Sequence, residues 1–175
     1  MSLTLVLGGA RSGKSAYAQN AAEREASARG VSPKIIVTAE IFDEEMAQRV
    51  ALHRQDRGDW WTTIEAPRDL ASAIRALKSD DVVVIDCMTL WLSNIMLAEV
   101  DIASETQRLL NALEQTSASI WIVTNEVGWS IVPDNALARR YRDEAGRLNQ
   151  ILARYCRDVF LIAAGMKLRL EATEY

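Results

Sequence analysis

The 175-residue sequence carries 20 Lys and Arg residues against 24 Asp and Glu residues, and its formal net charge of −4 disfavours a broad nucleic-acid-binding face. Hydrophobic residues make up 49% of the chain, which excludes a disordered tail and predicts a single domain over residues 1–175. No apolar run reaches the roughly 18 residues of a membrane span, because Asp86 and Asn94 interrupt the best candidate, and no signal peptide precedes the first strand-like run, so we expect a soluble, cytoplasmic protein.

In the first third of the chain, short apolar runs alternate with segments of helical period. Residues 3–7 predict a strand, which is followed by a glycine-rich turn and a helix over about residues 14–28. A second strand is predicted at residues 34–38. Acidic residues at the start of the segment 43–53 suit a helix N-terminus, and periodicity then fails over residues 54–63, which predicts a loop.

The rest of the chain continues this alternation. A helix is predicted to follow Pro67, which suits a position in the first turn of that helix. Residues 104–107 have the sequence Ser-Glu-Thr-Gln, which is typical of a capping box and predicts the start of another helix. A long helix over residues 135–155 carries one apolar face. Further strands are predicted at residues 82–86, 120–124, 159–162 and 167–170. Strands that alternate with helices indicate an α/β fold whose largely parallel sheet is covered on both faces.

The turn after the first predicted strand fits the pattern G-x-x-x-x-G-K-[ST]. Glycines let successive backbone N–H groups surround phosphate oxygens, Lys14 supplies positive charge to the outer phosphates, and the Ser15 hydroxyl can ligate Mg²⁺. A glycine-rich turn without a ligand is the alternative, but the flanking strand and helix favour a nucleoside triphosphate site. The predicted phosphate-binding residues are Gly8, Gly9, Ala10, Arg11, Ser12, Gly13, Lys14 and Ser15.

Asp86 ends the most hydrophobic predicted strand. A carboxylate at the carboxyl end of a strand lies where ligands bind in open α/β sheets, so Asp86 is predicted to be the second Mg²⁺ ligand beside Ser15. A capped strand end without a ligand is the alternative. The adjacent Cys87 is interpreted as a small buried hydrophobe rather than a nucleophile.

His53 is the only histidine of the chain. A lone histidine on the inner face of a helix is most often structural, but Arg49, Arg54 and Arg57 place three guanidinium groups close to it in sequence. Such a cluster suits an incoming polyphosphate and favours a catalytic role. A solvated, ion-paired helix end is the alternative.

Several segments together resemble the bifunctional adenosylcobinamide kinase/adenosylcobinamide-phosphate guanylyltransferases of cobalamin biosynthesis. The resemblance runs from residue 3 to about residue 169 and starts with the phosphate loop. The Asn-Glu-Val-Gly segment that ends at Gly128 and the region around His53 make it specific. The other matching segments are Glu45-Met46, Trp61 with Thr63, Glu65-Ala66-Pro67, Asp86-Cys87, Thr89 to Asn94, Ile131-Val132-Pro133, Arg142-Asp143, Gly146-Arg147 and Asn149-Gln150.

This resemblance implies a RecA-like P-loop NTPase fold and two reactions. ATP or GTP phosphorylates the aminopropanol hydroxyl of adenosylcobinamide, and GMP then passes from GTP through a histidine to adenosylcobinamide phosphate, which gives adenosylcobinamide-GDP and pyrophosphate. The matching histidine is His53, with Lys14 and Asp86 as the other catalytic residues. The resemblance also implies a homo-oligomer, a trimer, and a nucleotide site that includes Thr38, Ala39, Glu40, Arg54, Gln55, Asp56, Arg57, Glu65 and Asp86.

Two other functions remain open from the residues alone. One is a small-molecule kinase that uses only the phosphate loop, with a structural His53. The other is a RecA-like NTPase module of a larger assembly, which would form no covalent nucleotide adduct.

Three groups of side chains also keep two interpretations each. Glu126 either orients the acceptor or caps the backbone of its own loop. Trp60 and Trp61 are predicted to be hydrophobic anchors rather than stacking platforms for a base. Arginines of the 135–155 helix either bind the acceptor phosphate or a partner subunit, or form a solvated face; they are Arg139, Arg140, Arg142 and Arg147.

Overall fold

The computed structural model describes residues 2–40 and 58–173. In this part of the chain, seven strands form one sheet: β1 (Ser2–Gly8), β2 (Lys34–Val37), β3 (Thr62–Glu65), β4 (Val82–Asp86), β5 (Ser119–Asn125), β6 (Asp158–Ala163) and β7 (Met166–Leu170). The helices of the same ranges are α1 (Lys14–Arg29), α2 (Leu70–Arg75), α3 (Met88–Leu97), α4 (Ile102–Gln115) and α5 (Ala136–Tyr155).

The strand order of the sheet is β3-β2-β4-β5-β1-β6-β7. Neighbouring strands pair in parallel from β3 to β6, and β7 pairs antiparallel with β6. Gly8 is in register with Asn125, and Asp86 is in register with both Val37 and Val123. The phosphate loop and the ends of β2, β4 and β5 therefore lie at the same carboxyl edge, where open α/β sheets bind their ligands.

Two apolar layers cover the sheet because alternate residues of each strand point to opposite faces. Leu5 packs in the layer that includes α2 to α5, whereas Val6 packs in the layer that includes α1. The buried face of α1 consists mainly of alanines, such as Ala18 and Ala22, and small side chains let a helix lie close against a sheet. These layers fix the position of β1 and hence of the loop that follows it.

Most of the predicted elements are confirmed, but the loop predicted over residues 54–63 is wrong at its end. Thr62 and Thr63 belong to β3, an edge strand that pairs only with β2. Its burial pattern is exposed, exposed, intermediate and exposed, so it lacks the apolar alternation from which strands are recognised. The prediction that Pro67 lies in the first turn of a helix is also wrong, because α2 begins at Leu70 with Asp69 as its N-cap.

Helix α3 was not predicted from the sequence. Its buried residues include Met88, Trp91, Leu92 and Ile95, so apolar side chains occur around most of the helix and obscure the helical period. The apolar run from residue 82 to 97 is thus split between β4 and α3. Among the described residues, none of the helices combines the length and the apolar character that crossing a membrane requires.

The capping box predicted at residues 104–107 is wrong, because α4 already begins at Ile102. Its N-cap is Asp101, whose carboxylate accepts hydrogen bonds from the backbone N–H groups of Ala103 (3.3 Å) and Ser104 (3.2 Å). A side-chain acceptor at this position satisfies N–H groups that have no partner within the helix.

We expect Asp101→Ala to lower the free energy of unfolding by about 1 kcal/mol, the usual contribution of an N-cap side chain. Ser104→Ala is the matched control, because it removes a polar side chain from the same turn. Its expected effect is below about 0.5 kcal/mol. Urea denaturation of both variants measures the difference, and a larger loss in Ser104→Ala would restore the capping box.

Candidate active site

The phosphate loop connects β1 to α1 in a tight turn. Arg11 and Gly13 have positive φ angles of 57° and 95°, and Gly13 is the N-cap of α1. Glycine adopts this left-handed conformation readily, and it has no side chain that could occupy the first N–H groups of the helix. The N-terminus of α1 therefore presents backbone donors and the positive end of its dipole to an anion.

Gly8 lies where the loop leaves the sheet and has no room for a side chain. A Cβ atom there would lie 2.5 Å from the carbonyl oxygen of Ile162 and would also collide with Oγ of Ser12. The turn between β6 and β7 supports the same loop, because the backbone N–H of Gly165 donates to the carbonyl oxygen of Ser12 at 2.9 Å. The loop is thus held from the β6 side as well as by β1.

Lys14 is folded into the loop. Lys14 is only 8% exposed, and its Nζ donates a hydrogen bond to the carbonyl oxygen of Gly9 at 3.1 Å. Burial lowers the pKa of the Lys14 amine, and electrostatic interactions with Cys87 and Asp86 oppose this shift. Lys14 and Asp86 therefore lie at the same carboxyl edge of the sheet and interact electrostatically, which fits a shared phosphate site.

Asp86 and Ser15, the two predicted Mg²⁺ ligands, are both half-buried at this edge of the sheet. A hydroxyl and a carboxylate are hard oxygen donors, which Mg²⁺ prefers, and this ion usually takes few protein ligands beside phosphate oxygens and water. Within residues 2–40 and 58–173, no three or more His, Cys, Asp or Glu side chains lie close enough together to hold a metal ion by themselves. The donor set thus fits Mg²⁺ bound together with a nucleotide.

The end of β2 is tied to the end of β4 by Thr38, which is fully buried. Its Oγ1 accepts from the backbone N–H of Cys87 at 2.9 Å and donates to the Cys87 carbonyl at 2.7 Å. Nδ2 of Asn94 donates to the carbonyl oxygens of Thr38 (2.7 Å) and Pro67 (2.9 Å). Asn94, which interrupts an apolar run of the sequence, thus joins two segments of the site.

The remaining predicted nucleotide contacts divide into two groups. Ala39 and Glu40 are half-buried after β2, Glu65 is exposed at the end of β3, and Glu40 accepts a bidentate pair of hydrogen bonds from Arg68 at 2.7 and 3.1 Å. The helix predicted over residues 43–53 lies outside the described residues. The second group of predicted site residues also lies outside them and consists of Arg49, His53, Arg54, Gln55, Asp56 and Arg57.

Cys87 is buried, as predicted, and its side chain contacts the hydroxyl of Thr89 at 3.0 Å. Burial raises the pKa of the thiol, so the group is protonated at neutral pH. This environment agrees with a packing role.

Glu126 follows β5 and accepts a hydrogen bond from the backbone N–H of Gly128 at 2.6 Å. This contact supports the interpretation that the carboxylate caps its own loop. The two tryptophans differ: Trp61 is buried and donates to Glu23 at 2.9 Å, whereas Trp60 is 42% exposed. The anchor prediction therefore holds for Trp61 only.

Three arginines of α5 have local partners. Arg139 donates to the carbonyl oxygens of Pro133 and Asp134, whereas Arg142 pairs with Asp143 and Arg147 with Glu144. These contacts support the interpretation of a solvated helix face. Leu137 is the first residue of the apolar face that the sequence pattern predicts for this helix, but it is 56% exposed, so the buried face begins after the first turn.

Comparison with known proteins gives the family. The model of the family described as cobinamide kinase / cobinamide phosphate guanyltransferase matches residues 4–170. The bifunctional adenosylcobalamin biosynthesis protein CobP of Pseudomonas aeruginosa is 40% identical over 170 residues, which cover 95% of this chain and 96% of that protein. The bifunctional adenosylcobalamin biosynthesis protein CobU of Salmonella typhimurium is 37% identical over 187 residues, which cover 97% and 99%.

A solved structure gives the fold. A KaiC-like protein from Pyrococcus horikoshii has a TM-score of 0.50 and 16% identity, over 91% of this chain and 70% of that chain. This similarity shows the fold alone, and it confirms the predicted RecA-like P-loop architecture. Because the family match and the relatives extend over nearly the full length, the chain belongs to the family of cobinamide kinases / cobinamide phosphate guanyltransferases, whose members are bifunctional enzymes.

Proposed function

We propose that this chain carries out both reactions of its family on one phosphate loop. It phosphorylates the aminopropanol hydroxyl of adenosylcobinamide with ATP or GTP, and it then transfers GMP from GTP to adenosylcobinamide phosphate. The observation that carries this proposal is the phosphate loop itself, with Lys14 folded into it beside Asp86. The match of residues 4–170 to the family supports the choice of acceptor.

In the kinase step, the hydroxyl oxygen of the acceptor attacks the γ-phosphorus of the nucleotide. The bond from that phosphorus to the β–γ bridging oxygen breaks, the electron pair leaves with the nucleoside diphosphate, and the hydroxyl proton passes to water. Negative charge on the transferred group is stabilised by the ammonium group of Lys14 and by the N–H groups at the start of α1. Lys14 is well placed for this task because it is already desolvated within the loop.

In the transfer step, we propose a covalent GMP intermediate on His53. A neutral imidazole nitrogen attacks the α-phosphorus of GTP and pyrophosphate leaves with the electron pair of the broken bond. A phosphate oxygen of adenosylcobinamide phosphate then attacks the same phosphorus, and the phosphorus–nitrogen bond breaks. Two in-line displacements replace an encounter of nucleotide and acceptor in a single step, and the phosphoramidate retains a high transfer potential.

Ser15 and Asp86 are the residues that would hold Mg²⁺ in this proposal. Held there, the ion would supply positive charge to the phosphate oxygens of the nucleotide. A role of Thr38, Ala39, Glu40 and Glu65 in nucleotide binding is supported by their position at the same carboxyl edge of the sheet.

Incubation of the wild-type protein with [α-³²P]GTP tests the covalent route. We expect label that stays on the protein after denaturation, that is lost in acid and that survives alkali, because phosphoramidates have this stability. [γ-³²P]GTP is the matched control and should leave no such label, since the γ-phosphate departs with pyrophosphate. An enzyme that forms adenosylcobinamide-GDP without acquiring α-label would contradict the intermediate. A kinase without the transfer step, or an NTPase module of an assembly, would form neither the label nor the product.

A further inference from the structure

Asn125 occupies a central place at the carboxyl edge of the sheet. It is the last residue of β5, which lies between β1 and β4. Asn125 is in parallel register with Gly8, and the backbone N–H of the next residue, Glu126, donates to the Gly8 carbonyl at 3.1 Å. The residue therefore stands between the phosphate loop on one side and the strand that ends in Asp86 on the other.

Hydrogen bonds hold Asn125 in this place. Its Nδ2 donates to Oγ1 of Thr89 at 3.0 Å, and its backbone carbonyl accepts from Nδ2 of Asn149 at 3.2 Å. Asn149 is in turn fixed through its Oδ1, which accepts from Oγ1 of Thr124 at 2.8 Å. Thus β5, α3 and α5 all contribute to the position of this amide.

The other side-chain atom of the amide, Oδ1, is buried and lacks a hydrogen-bond partner. Within residues 2–40 and 58–173, the only other buried side-chain oxygen or nitrogen without a partner is Oγ of Ser12. Both atoms belong to residues that adjoin Gly8, one through the phosphate loop and the other through the register of the sheet. A buried acceptor without a donor carries a desolvation cost, and such atoms call for a specific explanation.

The chemistry of Oδ1 restricts what can satisfy it. An amide oxygen only accepts hydrogen bonds, and the oxygens of a fully ionised nucleotide phosphate also only accept them, so these phosphate oxygens cannot be its partner. The amine of Lys14 has three N–H donors and gives one to the Gly9 carbonyl, but it makes no hydrogen bond to Oδ1. The missing partner is therefore a donor that arrives with a ligand, and an alcohol that attacks a phosphorus atom brings such an O–H group to the outer end of the phosphate site.

We propose that Oδ1 of Asn125 accepts a hydrogen bond from the acceptor hydroxyl in the kinase step and thereby aims its oxygen at the γ-phosphorus. The proposal rests on the function proposed above and names the residue that positions the alcohol. The amide takes no proton, which still passes to water when the new oxygen–phosphorus bond forms. Because Oδ1 is screened from solvent before the ligand binds, the contact includes a turn of the amide toward the arriving hydroxyl.

Steady-state kinetics with ATP and adenosylcobinamide test this role in Asn125→Ala, Asn125→Asp and wild type. We expect Asn125→Ala to lower kcat about 10²-fold, the usual effect of a misplaced reacting group, with an unchanged dissociation constant for a non-hydrolysable ATP analogue. Asn125→Asp keeps an acceptor oxygen and should recover kcat at saturating ATP to within about tenfold of wild type. Asn111→Ala, a change of an exposed asparagine on α4, is the matched control and should behave as wild type.

These measurements distinguish a failure of the positioning role of Asn125 from a failure of the proposed kinase function. A wild-type protein that does not phosphorylate adenosylcobinamide overturns the proposed function and the positioning role with it. If wild type is active and Asn125→Ala keeps kcat within about threefold, only the positioning role is overturned. It is also overturned if Asn125→Asp is no more active than Asn125→Ala, since that result indicates a donor or a purely structural amide. Loss of ATP-analogue binding in Asn125→Ala would likewise assign the residue to support of the loop.

Discussion

His53→Ala is expected to abolish GMP transfer to adenosylcobinamide phosphate, because His53 is the only histidine of the chain and no other imidazole can form the proposed intermediate. The variant should acquire no label from [α-³²P]GTP. Its kinase reaction should continue, since phosphorylation of the alcohol needs Lys14 and the phosphate loop but no covalent nucleotide. Both reactions are measured in the same preparation by following adenosylcobinamide phosphate and adenosylcobinamide-GDP separately.

The kinase activity of the His53→Ala variant serves as its internal control for folding. Retained kinase turnover with complete loss of transfer assigns the nucleophile to His53. Equal loss of both reactions in a folded variant would instead indicate that the histidine supports the structure, and persistence of the α-label would assign the nucleophile to another residue. Thermal denaturation of the variant beside wild type establishes that it is folded.

Lys14→Ala is expected to lower turnover of the kinase and the transfer reaction by about 10²-fold or more, comparable with the loss of a preorganised donor to a developing negative charge. The reason is geometric, because the amine lies inside the loop and donates to the Gly9 carbonyl. No water-exposed lysine could deliver the same charge at low dielectric. Nucleotide affinity and both kcat values are the measurements that check this expectation.

Lys78→Ala is the matched control for Lys14→Ala. Lys78 is exposed and precedes β4, so it lies at the amino edge of the sheet, opposite the phosphate loop. Removing its charge changes the net charge by the same amount without touching the site, and both activities should stay within about twofold of wild type. Unchanged nucleotide affinity and turnover in Lys14→Ala would contradict the role of the loop.

The parts of the candidate site whose placement in the fold follows from the sequence are those built from contiguous residues. The phosphate loop needs only residues 8–15, whose glycine spacing and flanking apolar strand are visible in one segment. Asp86 was predictable for a similar reason, since it ends a run of valines and isoleucine that indicates a buried strand. The family resemblance supplied the prediction of nucleotide contacts at Thr38 and Glu65, which local pattern alone does not indicate.

Asn94 and Asn125 lie in segments that carry the family resemblance, but their side-chain contacts could not be predicted because the partners are far apart along the chain. Asn94 bonds to Thr38 and Pro67, and Asn125 bonds to Thr89, so their roles arise only when the strands and helices have assembled. An asparagine in an apolar run and an asparagine at the end of a strand look ordinary in isolation. Their burial and their hydrogen bonds, rather than their neighbours in sequence, make them informative.

The contact between Gly165 and Ser12 has a consequence for biosynthesis of the protein. The phosphate loop is translated before the hairpin of β6 and β7 that supports it, and β6 also completes one side of β1. A nascent chain that ends before β6 therefore has the nucleotide-binding motif without the packing that shapes it. A nucleotide stabilises only the conformation that it binds, so the proposed binding of ATP and GTP would stabilise the completed chain and not its partially synthesised forms.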